Sequence, residues 1–338
     1  MKNVLVTGGA GFIGSNFINY ILKSRNDLNI INLDKLTYAG NLENLKEVEN
    51  NKYYHFIKGD ICNKELVNHL FEKYNIQYVI NFAAESHVDR SILGSEVFYH
   101  TNVIGTNVLL ETARKWNVEK FVQISTDEVY GSLGPTGKFT EKTSLSPNSP
   151  YSSSKASADM MILSFYHTYG LPVVITRCSN NYGPYQFPEK LIPLMIINLF
   201  KGKKLPVYGD GLNVRDWIYV IDHNKAVELV LEKGKVGEVY NIGAENEIKN
   251  IDIINRILNI LGKSQDNIQF VVDRLGHDRR YAMDATKIKN ELGWKPEFTF
   301  EKALLDTIKW YKDNKDWWEK ILDGNYQKYY SKQYKDKV

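Results

Sequence analysis

The stretch Gly8-Gly9-Ala10-Gly11-Phe12-Ile13-Gly14 decides the fold of the first part of this chain. It follows the apolar run Val4–Val6, which predicts a short buried strand, and it opens Phe12–Lys23, whose apolar spacing is helical. In a strand–turn–helix of this kind, the first spaced glycine permits a tight turn and the second lets the backbone approach a phosphate. The third allows the helix to pack closely on the strand. The N-terminus of the helix also offers free N–H groups to an anion.

A carboxylate further along supports a dinucleotide site. Asp34 ends the next apolar run, Ile30–Leu33, twenty residues after Gly14. A carboxylate at this place accepts hydrogen bonds from the adenosine ribose hydroxyls of NAD, and it would repel the 2′-phosphate of NADP. A glycine-rich turn without a ligand is the alternative. The strand, the helix and the acid together favour an NAD site.

Strand and helix patterns alternate through the first half of the chain. Further strands are predicted at Tyr54–Ile57, Tyr78–Phe82, Phe121–Ile124 and Val173–Thr176. Further helices are predicted at Lys64–Tyr74, Ser95–Trp116 and Ser152–Tyr169. This alternation predicts an α/β fold with a doubly wound parallel sheet that is covered by helices on both faces. We therefore expect a Rossmann-type NAD-binding domain, with the catalytic residues, over residues 1–180.

The pattern changes after Ser179, where prolines and glycines become frequent. We expect residues 181–338 to form mainly a smaller α/β portion that binds the substrate, with the chain crossing between the two portions. Its predicted strands are Val207–Tyr208 and Val239–Asn241, and its predicted helices are Asp222–Glu232, Asn250–Leu261 and Phe300–Asp313. The tail from Tyr311 is rich in Lys, Tyr and Trp and predicts a solvated terminal helix.

Composition restricts the class of function. The chain has 338 residues and a formal net charge of +3, without the concentrated basic stripe of a nucleic-acid-binding protein. Cys62 and Cys178 lack metal or redox spacing, so we expect reduced thiols, no metal site and a cytoplasmic protein. The start at Met1 has no signal-peptide layout, and the longest apolar stretch, Ile192–Phe200, is too short to span a membrane.

Two adjacent carboxylates, Asp127 and Glu128, follow the predicted strand Phe121–Ile124, directly after Thr126. The carboxyl ends of parallel strands are where open α/β sheets bind ligands. Neighbouring carboxyl groups push their pKa values apart, which suits one acid and one base. For an isolated Asp-Glu pair, an exposed acidic loop would be the better interpretation.

Tyr151 and Lys155 lie four residues apart at the start of a predicted helix, so they share one helical face. A lysine ammonium beside a phenol lowers the pKa of the phenol, which makes a tyrosinate available as a base near neutral pH. This spacing is common and means little by itself. It becomes informative downstream of a glycine loop and a strand that ends in Ser-Thr.

The glycine loop with Tyr151 and Lys155 resembles the extended short-chain dehydrogenase/reductase family, and longer strings resemble the dTDP-glucose 4,6-dehydratases within it. The strings are residues 32–42 (NLDKLTYAGNL), 83–91 (AAESHVDRS), 126–131 (TDEVYG), 179–185 (SNNYGPY), 187–193 (FPEKLIP) and 276–282 (GHDRRYA). The resemblance extends from Met1 to about Trp310. The chain departs from the family at Leu275, where proline is usual, and residues 132–150 are shorter than in some members.

The resemblance implies an NAD-dependent hydro-lyase that converts dTDP-glucose to dTDP-4-keto-6-deoxyglucose. Tyr151, assisted by Lys155, would take the proton of the 4-hydroxyl while hydride moves from C4 to NAD⁺. Glu128 would then remove the C5 proton, Asp127 would protonate the departing 6-hydroxyl, and hydride would return to C6. Thr126 would orient the sugar. The acid needs a raised pKa and the base an ordinary one, so Asp127 should be the more buried carboxyl. Because NAD is regenerated in each cycle, we expect it to stay tightly bound.

The resemblance also implies two sets of contact residues. The cofactor set is Gly8, Gly11, Phe12, Ile13, Gly14, Asp34, Lys35, Leu36, Thr37, Asp60, Ile61, Ala83, Ala84, Ser86, Thr101, Tyr151, Lys155 and Asn181. The sugar-nucleotide set is Ser86, Thr126, Asn180, Lys190, Leu191, Pro206, Val207, Tyr208, Arg215, Asn250, Arg274 and His277. The guanidinium groups of Arg215 and Arg274 suit a diphosphate. Lys190 and His277, each taken alone, are more typical of surface charges.

Other functions on the same scaffold stay open. A 4-epimerase, a decarboxylase or a dehydratase for another nucleotide are the nearest, and the acid pair argues against the first two. A non-catalytic NAD-binding protein would be expected to lack Tyr151, Lys155 or the acid pair. The resemblance further implies a homodimer built as a four-helix bundle from Ser95–Trp116 and Ser152–Tyr169, acting in deoxysugar biosynthesis such as that of rhamnose. We expect no nucleic-acid and no membrane partner.

Overall fold

The computed structural model describes residues 1–322, Tyr326 and Tyr330. The strands are β1 (Lys2–Thr7), β2 (Leu28–Asp34), β3 (Tyr54–Lys58), β4 (Tyr78–Asn81), β5 (Lys120–Thr126), β6 (Val173–Cys178), β7 (Asn180–Tyr182), β8 (Leu205–Tyr208), β9 (Val214–Tyr219), β10 (Val239–Ile242), β11 (Glu247–Lys249) and β12 (Ile268–Val271). The helices are α1 (Phe12–Ser24), α2 (Lys64–Tyr74), α3 (Val88–Leu93), α4 (Glu96–Tyr99), α5 (Thr106–Lys115), α6 (Pro150–Tyr169), α7 (Leu191–Phe200), α8 (Val220–Lys233), α9 (Asn250–Ile260), α10 (Thr286–Leu292), α11 (Phe300–Asp313) and α12 (Lys315–Ile321).

Seven strands form one parallel sheet in the order β10-β6-β5-β4-β1-β2-β3. Successive residues of β1 enter different cores: Val4 and Val6 pack in one cluster with residues of α1 and α8, and Leu5 packs in another with residues of α2, α5 and α6. Helices therefore cover both faces, and the predicted doubly wound fold is confirmed. The strand order reverses between β1 and β4, where such sheets open a crevice at their carboxyl ends.

The helix expected at Ser95–Trp116 is a helical run in which a π-helical segment, His100–Gly105, joins α4 to α5. π-Helical turns often mark functional sites. Here the segment contains Asn102, whose side chain accepts from the N–H of Glu85 at 2.9 Å and donates to the Glu85 carbonyl at 3.0 Å. The same amide donates to Ser154 Oγ at 2.8 Å. The segment thus ties the loop after β4 to α6.

The chain crosses back to the large sheet after α8. The strand expected at Val239–Asn241 is part of β10, which pairs with β6 at the edge of the seven-stranded sheet. Placing that strand in the smaller portion was wrong, because a short strand pattern predicts the element without specifying its partner. The smaller portion contains the sheets β11-β9-β7 and β12-β8, with α7, α9 and α11 packed around them.

The terminal segment is not solvated on every side over the part that the structure describes: its lysines are exposed, but its aromatic side chains are not. Tyr311, Trp317 and Trp318 are all buried. The indole of Trp317 donates to Asn44 Oδ1 at 2.8 Å, and the indole of Trp318 donates to the Tyr311 carbonyl at 2.8 Å. The prediction of a solvated helix was wrong here, because the aromatic rings outweigh the lysines and pack against the core of the smaller portion.

None of the helices in the described part of the chain combines the length and the apolar character that crossing a bilayer requires.

Candidate active site between the two portions of the chain

The glycine loop is closely packed where the sequence predicted it. Gly8 has φ +68°, and a Cβ atom there would lie 2.6 Å from the backbone nitrogen of Ala83. A Cβ atom at Gly14 would lie 2.5 Å from the Gly8 carbonyl oxygen. Gly11 precedes α1 and makes no side-chain cap, so the first N–H groups of α1 are available at the cavity that this loop lines.

A first cavity of about 280 Å³ lies over the carboxyl ends of β1, β4 and β5. Every residue of the predicted cofactor set lines it except Leu36. Leu36 instead donates its backbone N–H to Asp34 Oδ1 at 2.7 Å, while the N–H of Ala10 donates to Asp34 Oδ2 at 2.8 Å. Burial raises the pKa of Asp34, and these two N–H groups oppose that shift.

The cavity wall suits a polar dinucleotide. Among the described residues, Ser125 Oγ, Ser179 Oγ, Asn180 Oδ1 and Asp127 Oδ2 are buried and have no hydrogen-bond partner. All four residues line the first cavity. Unpaired buried polar atoms are rare in folded proteins, and a polar molecule in this cavity is one explanation for these four. Together with the uncapped α1, they fit NAD, which carries phosphates, hydroxyls and a carboxamide.

A second cavity of about 150 Å³ adjoins the first. The predicted sugar-nucleotide residues line it, apart from Ser86 and Thr126, which line the first cavity. Glu128, Asn180 and Lys190 line both cavities. Of all the predicted site residues, only Leu36 lines neither cavity, so the fold brings together positions from nearly the whole chain.

Three cations, Lys190, Arg215 and Arg274, line the second cavity together with three carboxyl groups, Asp89, Glu128 and Glu189. Arg274 contacts Asp89 Oδ1 at 3.3 Å, Arg215 Nη2 donates to the Asp278 carbonyl at 2.9 Å, and Lys190 Nζ donates to the Ser86 carbonyl at 3.1 Å. Burial and the two arginines lower the pKa of His277 to about 4, so its imidazole is neutral at pH 7. Lys190 and His277 line the cavity with the rest of the predicted set, although each taken alone is more typical of a surface charge. Three cations in one cavity suit a diphosphate.

The acid pair lies where β5 ends. Thr126 Oγ1 accepts from the N–H of Glu128 at 3.2 Å and donates to Asp127 Oδ1 at 3.2 Å. Asp127 is buried and Glu128 is partly exposed, as predicted. Burial and the neighbouring Glu128 charge raise the pKa of Asp127 well above its ordinary value.

The pKa of Glu128 departs from the ordinary value that the sequence predicted. Burial raises it, although the positive charges of Arg274, Lys190 and Arg215 act in the opposite direction. The cations thus separate the pKa values of the two carboxyl groups. Asp127 is shifted further toward its protonated form, and Glu128 is held closer to ionisation. This arrangement supplies one acid and one base.

Tyr151 and Lys155 lie on the first turns of α6, which a capping box between Ser149 and Ser152 begins. Lys155 Nζ donates to the Ile124 carbonyl at 2.7 Å, and burial lowers the pKa of Lys155. The expected lowering of the pKa of Tyr151 was wrong for the chain alone. Burial and the Glu128 charge raise the pKa of Tyr151 well above its ordinary value, and contact with the Thr126 side chain only partly offsets this.

Several cavity residues escaped the sequence analysis. Tyr38, Ser125 and Glu189 line the first cavity, and Asp89 lines the second. Tyr38, Asp89 and Glu189 stand inside the family-like strings, which was a usable signal. Their neighbours come from distant parts of the chain, however, so the strings do not tell what these side chains contact.

Comparison with known proteins agrees with this geometry. A profile of the GDP-mannose 4,6 dehydratase family matches residues 5–307. A dTDP-glucose 4,6-dehydratase of Xanthomonas campestris pv. campestris is 51% identical to this chain, over 97% of the chain and 98% of that protein. The chain belongs to the dTDP-glucose 4,6-dehydratase family.

Solved structures of family members share the fold over nearly their whole length. The dTDP-glucose 4,6-dehydratase of Bacillus anthracis, solved in complex with NAD, is 56% identical with a TM-score of 0.90, over 95% of this chain and 100% of that one. The Streptomyces venezuelae enzyme DesIV, solved with NAD and TYD bound, is 47% identical with a TM-score of 0.92, over 94% of this chain and 99% of that one.

The buried Asp127 makes the stability of the chain depend on pH. Its folded pKa lies above the unfolded value, so the folded state binds more protons and stability falls as pH rises from about 4 through the folded pKa. We expect Asp127→Asn to remove this fall. In urea unfolding, the stability of the variant relative to the unsubstituted chain should increase from pH 5 to pH 8. The increase should be about 1.4 kcal/mol for each pKa unit within that window.

Asp210→Asn is the matched control. Asp210 is exposed, and hydrogen bonds from Arg279 lower its pKa to about 2, so it is ionised at both pH values. This substitution should change stability equally at pH 5 and pH 8. An equal effect of Asp127→Asn at the two pH values would contradict the raised pKa of Asp127.

Proposed function

We propose that Asp127, Glu128, Tyr151 and Lys155 carry out in this chain the reaction of its family. The chain is an NAD-dependent hydro-lyase that converts dTDP-glucose to dTDP-4-keto-6-deoxyglucose. The observation that carries the assignment of residues is the position of Glu128. It lines both the first and the second cavity, directly beside the buried Asp127. An acid and a base therefore lie where a sugar between the two cavities would lie.

The residues that would hold NAD are the glycines of the loop, Asp34, and the lining residues at the ends of β4 and β5. Bound NAD would supply a hydride acceptor for C4 of the sugar and a hydride donor for C6, and its positive ring would favour negative charge on nearby side chains. Asp34 would accept from ribose hydroxyls, and the uncapped end of α1 would bind the diphosphate.

Tyr151 takes the proton of the sugar 4-hydroxyl. Its raised pKa keeps the phenol neutral in the chain alone, so the base form depends on positive charge near the hydroxyl. Lys155 lies four residues after Tyr151 on α6 and would supply this charge. Burial lowers its pKa because the ammonium group is poorly solvated. Thr126 contacts Tyr151 and would orient the 4-oxygen.

Water leaves the sugar between Glu128 and Asp127. Once C4 is a ketone, Glu128 removes the proton on C5, the bond from C6 to its oxygen breaks, and the proton of Asp127 converts the leaving hydroxyl to water. Glu128 returns its proton to C5 when C6 is reduced. As the product leaves, Tyr151 releases its proton to solvent and Asp127 takes one up from solvent. The raised pKa of Asp127 supports its role as the acid.

The second cavity would hold the nucleotide diphosphate. Arg215, Arg274 and Lys190 are its positive groups, while Pro206 and Tyr208 offer apolar and aromatic surface for a base. The acid pair disfavours an epimerase, which inverts C4 without losing water, and a decarboxylase, which loses carbon dioxide. We further propose that residues 181–338 supply most of this cavity and that the product feeds deoxysugar biosynthesis, such as that of rhamnose, in the cytoplasm.

A homodimer is also part of the proposal. The helical run from α4 to α5 and helix α6 are the elements predicted to pair, and they carry exposed apolar side chains: Val97 is 46%, Ile104 51% and Met160 57% exposed. Covering such side chains with a second copy would remove apolar area from water.

The function has a direct test. Purified protein incubated with dTDP-glucose, without added NAD, should form a 4-keto-6-deoxy product that is followed by its absorbance in base. The protein should carry bound NAD after purification, because the cofactor is regenerated in each cycle. UDP-glucose should be consumed more slowly. Consumption of neither sugar nucleotide, or a need for stoichiometric NAD, would refute the proposal.

The acid and base roles can be separated in deuterated water. Asp127→Asn should retain C4 oxidation and slow water loss by about two to four powers of ten, the range for general acid catalysis. Glu128→Gln should block exchange of the C5 proton, measured by NMR of the recovered sugar. Full elimination in the first variant, or normal C5 exchange in the second, would assign these roles to other residues.

The oligomeric state tests the helical interface. Ile104→Glu combined with Met160→Glu should convert the dimer to a monomer in light scattering, because a carboxylate at a covered apolar position is left desolvated. Leu305→Glu on α11 is the control, since Leu305 is 51% exposed and lies outside the two elements. A dimer that survives the double substitution would exclude this interface.

A further inference from the structure

Three side chains from distant parts of the chain meet beside the first cavity. Tyr38 belongs to the loop after β2, Arg90 lies in α3, and Glu189 lies just before α7. We call these three residues the clasp. None of them has a part in the reaction described above.

The contacts within the clasp are specific. Arg90 Nε and Nη2 both lie 2.9 Å from Glu189 Oε2, and the guanidinium carbon is 3.8 Å from the centre of the Tyr38 ring. Burial and the charge of the nearby Glu189 raise the pKa of the Tyr38 phenol well above its ordinary value. The side chain of Glu189 is only 2% exposed. Charge-assisted hydrogen bonds and a guanidinium stacked on an aromatic face are strong when they are shielded from water.

The clasp joins two walls of the cofactor cavity. Tyr38 and Glu189 line that cavity, whereas Arg90 does not, so Arg90 braces the two walls from outside. Tyr38 also meets Phe187 edge to face at 5.4 Å, and Phe187 lines the same cavity. One wall follows Asp34, and the other leads into α7 of the smaller portion. Glu189 lines the second cavity as well, so the clasp lies where the two cavities meet.

Breaking the clasp would be unfavourable. Separating the walls would leave the buried Glu189 carboxylate without its guanidinium partner, and an unpaired buried charge is strongly disfavoured. Lys190 and His87 lie near the same carboxylate, His87 Nε2 at 3.9 Å from Glu189 Oε1, but neither bridges to Tyr38. Arg90, together with the ring contact between Tyr38 and Phe187, therefore holds the loop after β2 against the segment before α7.

We propose that the clasp of Tyr38, Arg90 and Glu189 retains NAD between catalytic cycles by holding these two walls of the cofactor cavity together. The three residues are positioning residues for the cavity wall. The inference rests on the proposed function, because it needs NAD in the first cavity and a reaction that regenerates it. It goes further by naming what sets the rate of NAD release.

Arg90→Gln tests the clasp without altering a residue that lines the cavity. The purified protein is incubated with excess radiolabelled NAD, and the rate at which label replaces bound NAD is followed after rapid gel filtration. We expect exchange at least tenfold faster than in the unsubstituted chain, which is about 1.4 kcal/mol in the barrier. Arg90→Lys should exchange NAD at a rate between those of the unsubstituted chain and Arg90→Gln. With saturating NAD, kcat should stay within about twofold, because no reacting group has changed.

Arg280→Gln is the matched control. Arg280 contacts Glu247 through Nε at 2.9 Å and Nη2 at 2.7 Å, and neither residue lines either cavity. This variant should exchange NAD at the rate of the unsubstituted chain. Equal acceleration in Arg280→Gln and Arg90→Gln would overturn the clasp, because the effect would then come from general destabilisation.

Different outcomes would contradict the clasp and the proposed function on which it rests. If the unsubstituted chain retains NAD and Arg90→Gln exchanges it no faster, the clasp is wrong and the proposed function stands. If the unsubstituted chain retains no NAD, the clasp is wrong. If it forms no 4-keto-6-deoxy product even with added NAD, the proposed function fails. Should Arg90→Gln not fold, Arg90→Lys decides, because it keeps a positive charge beside Glu189 and removes the planar group that stacks on Tyr38. Exchange faster than in the unsubstituted chain supports the clasp, and unchanged exchange overturns it.

Discussion

The close approach of α1 to β1 is the constraint on which the rest of this site depends. The backbone of the glycine loop leaves no room for a Cβ atom at Gly8 or Gly14, where one would lie within 2.6 Å of backbone atoms. This packing puts the uncapped N-terminus of α1 over the crevice at the reversal of strand order between β1 and β4. β5 is the neighbour of β4, so its carboxyl end opens into the same crevice and brings Asp127 beside the dinucleotide cavity.

Burial then determines the chemistry of the groups that meet there. It raises the pKa values of Asp127, Glu128 and Tyr151 and lowers that of Lys155, which means that each group favours its neutral form. Positive charge opposes this shift, and the cations of the second cavity partly offset it for Glu128, whose pKa stays raised. The adjoining cavity thus does more than hold a diphosphate. Its cations also separate the pKa of the base, Glu128, from the pKa of the acid, Asp127.

Local patterns predicted the elements well. The helices at Lys64–Tyr74 and Phe300–Asp313 match α2 and α11 residue for residue, because amphipathic spacing is a property of consecutive residues. The partner of β10 and the burial of Trp317 were not predictable in this way, because both depend on residues far along the chain. The pKa of Tyr151 was missed for the same reason: Lys155 is four residues away, whereas Glu128 and the surrounding wall arrive through the fold.

The sequence by itself determined the glycine turn, Asp34, the acid pair after β5 and the Tyr151–Lys155 spacing, since each is a short pattern whose chemistry follows from residue type and order. Only the tertiary structure decided that Glu128 lines both cavities, that the pKa of Tyr151 is raised, and that Tyr38, Arg90 and Glu189 meet. The physical reason is that burial, charge proximity and hydrogen-bond geometry act between groups in space. Such groups come together only after the sheet has ordered its strands.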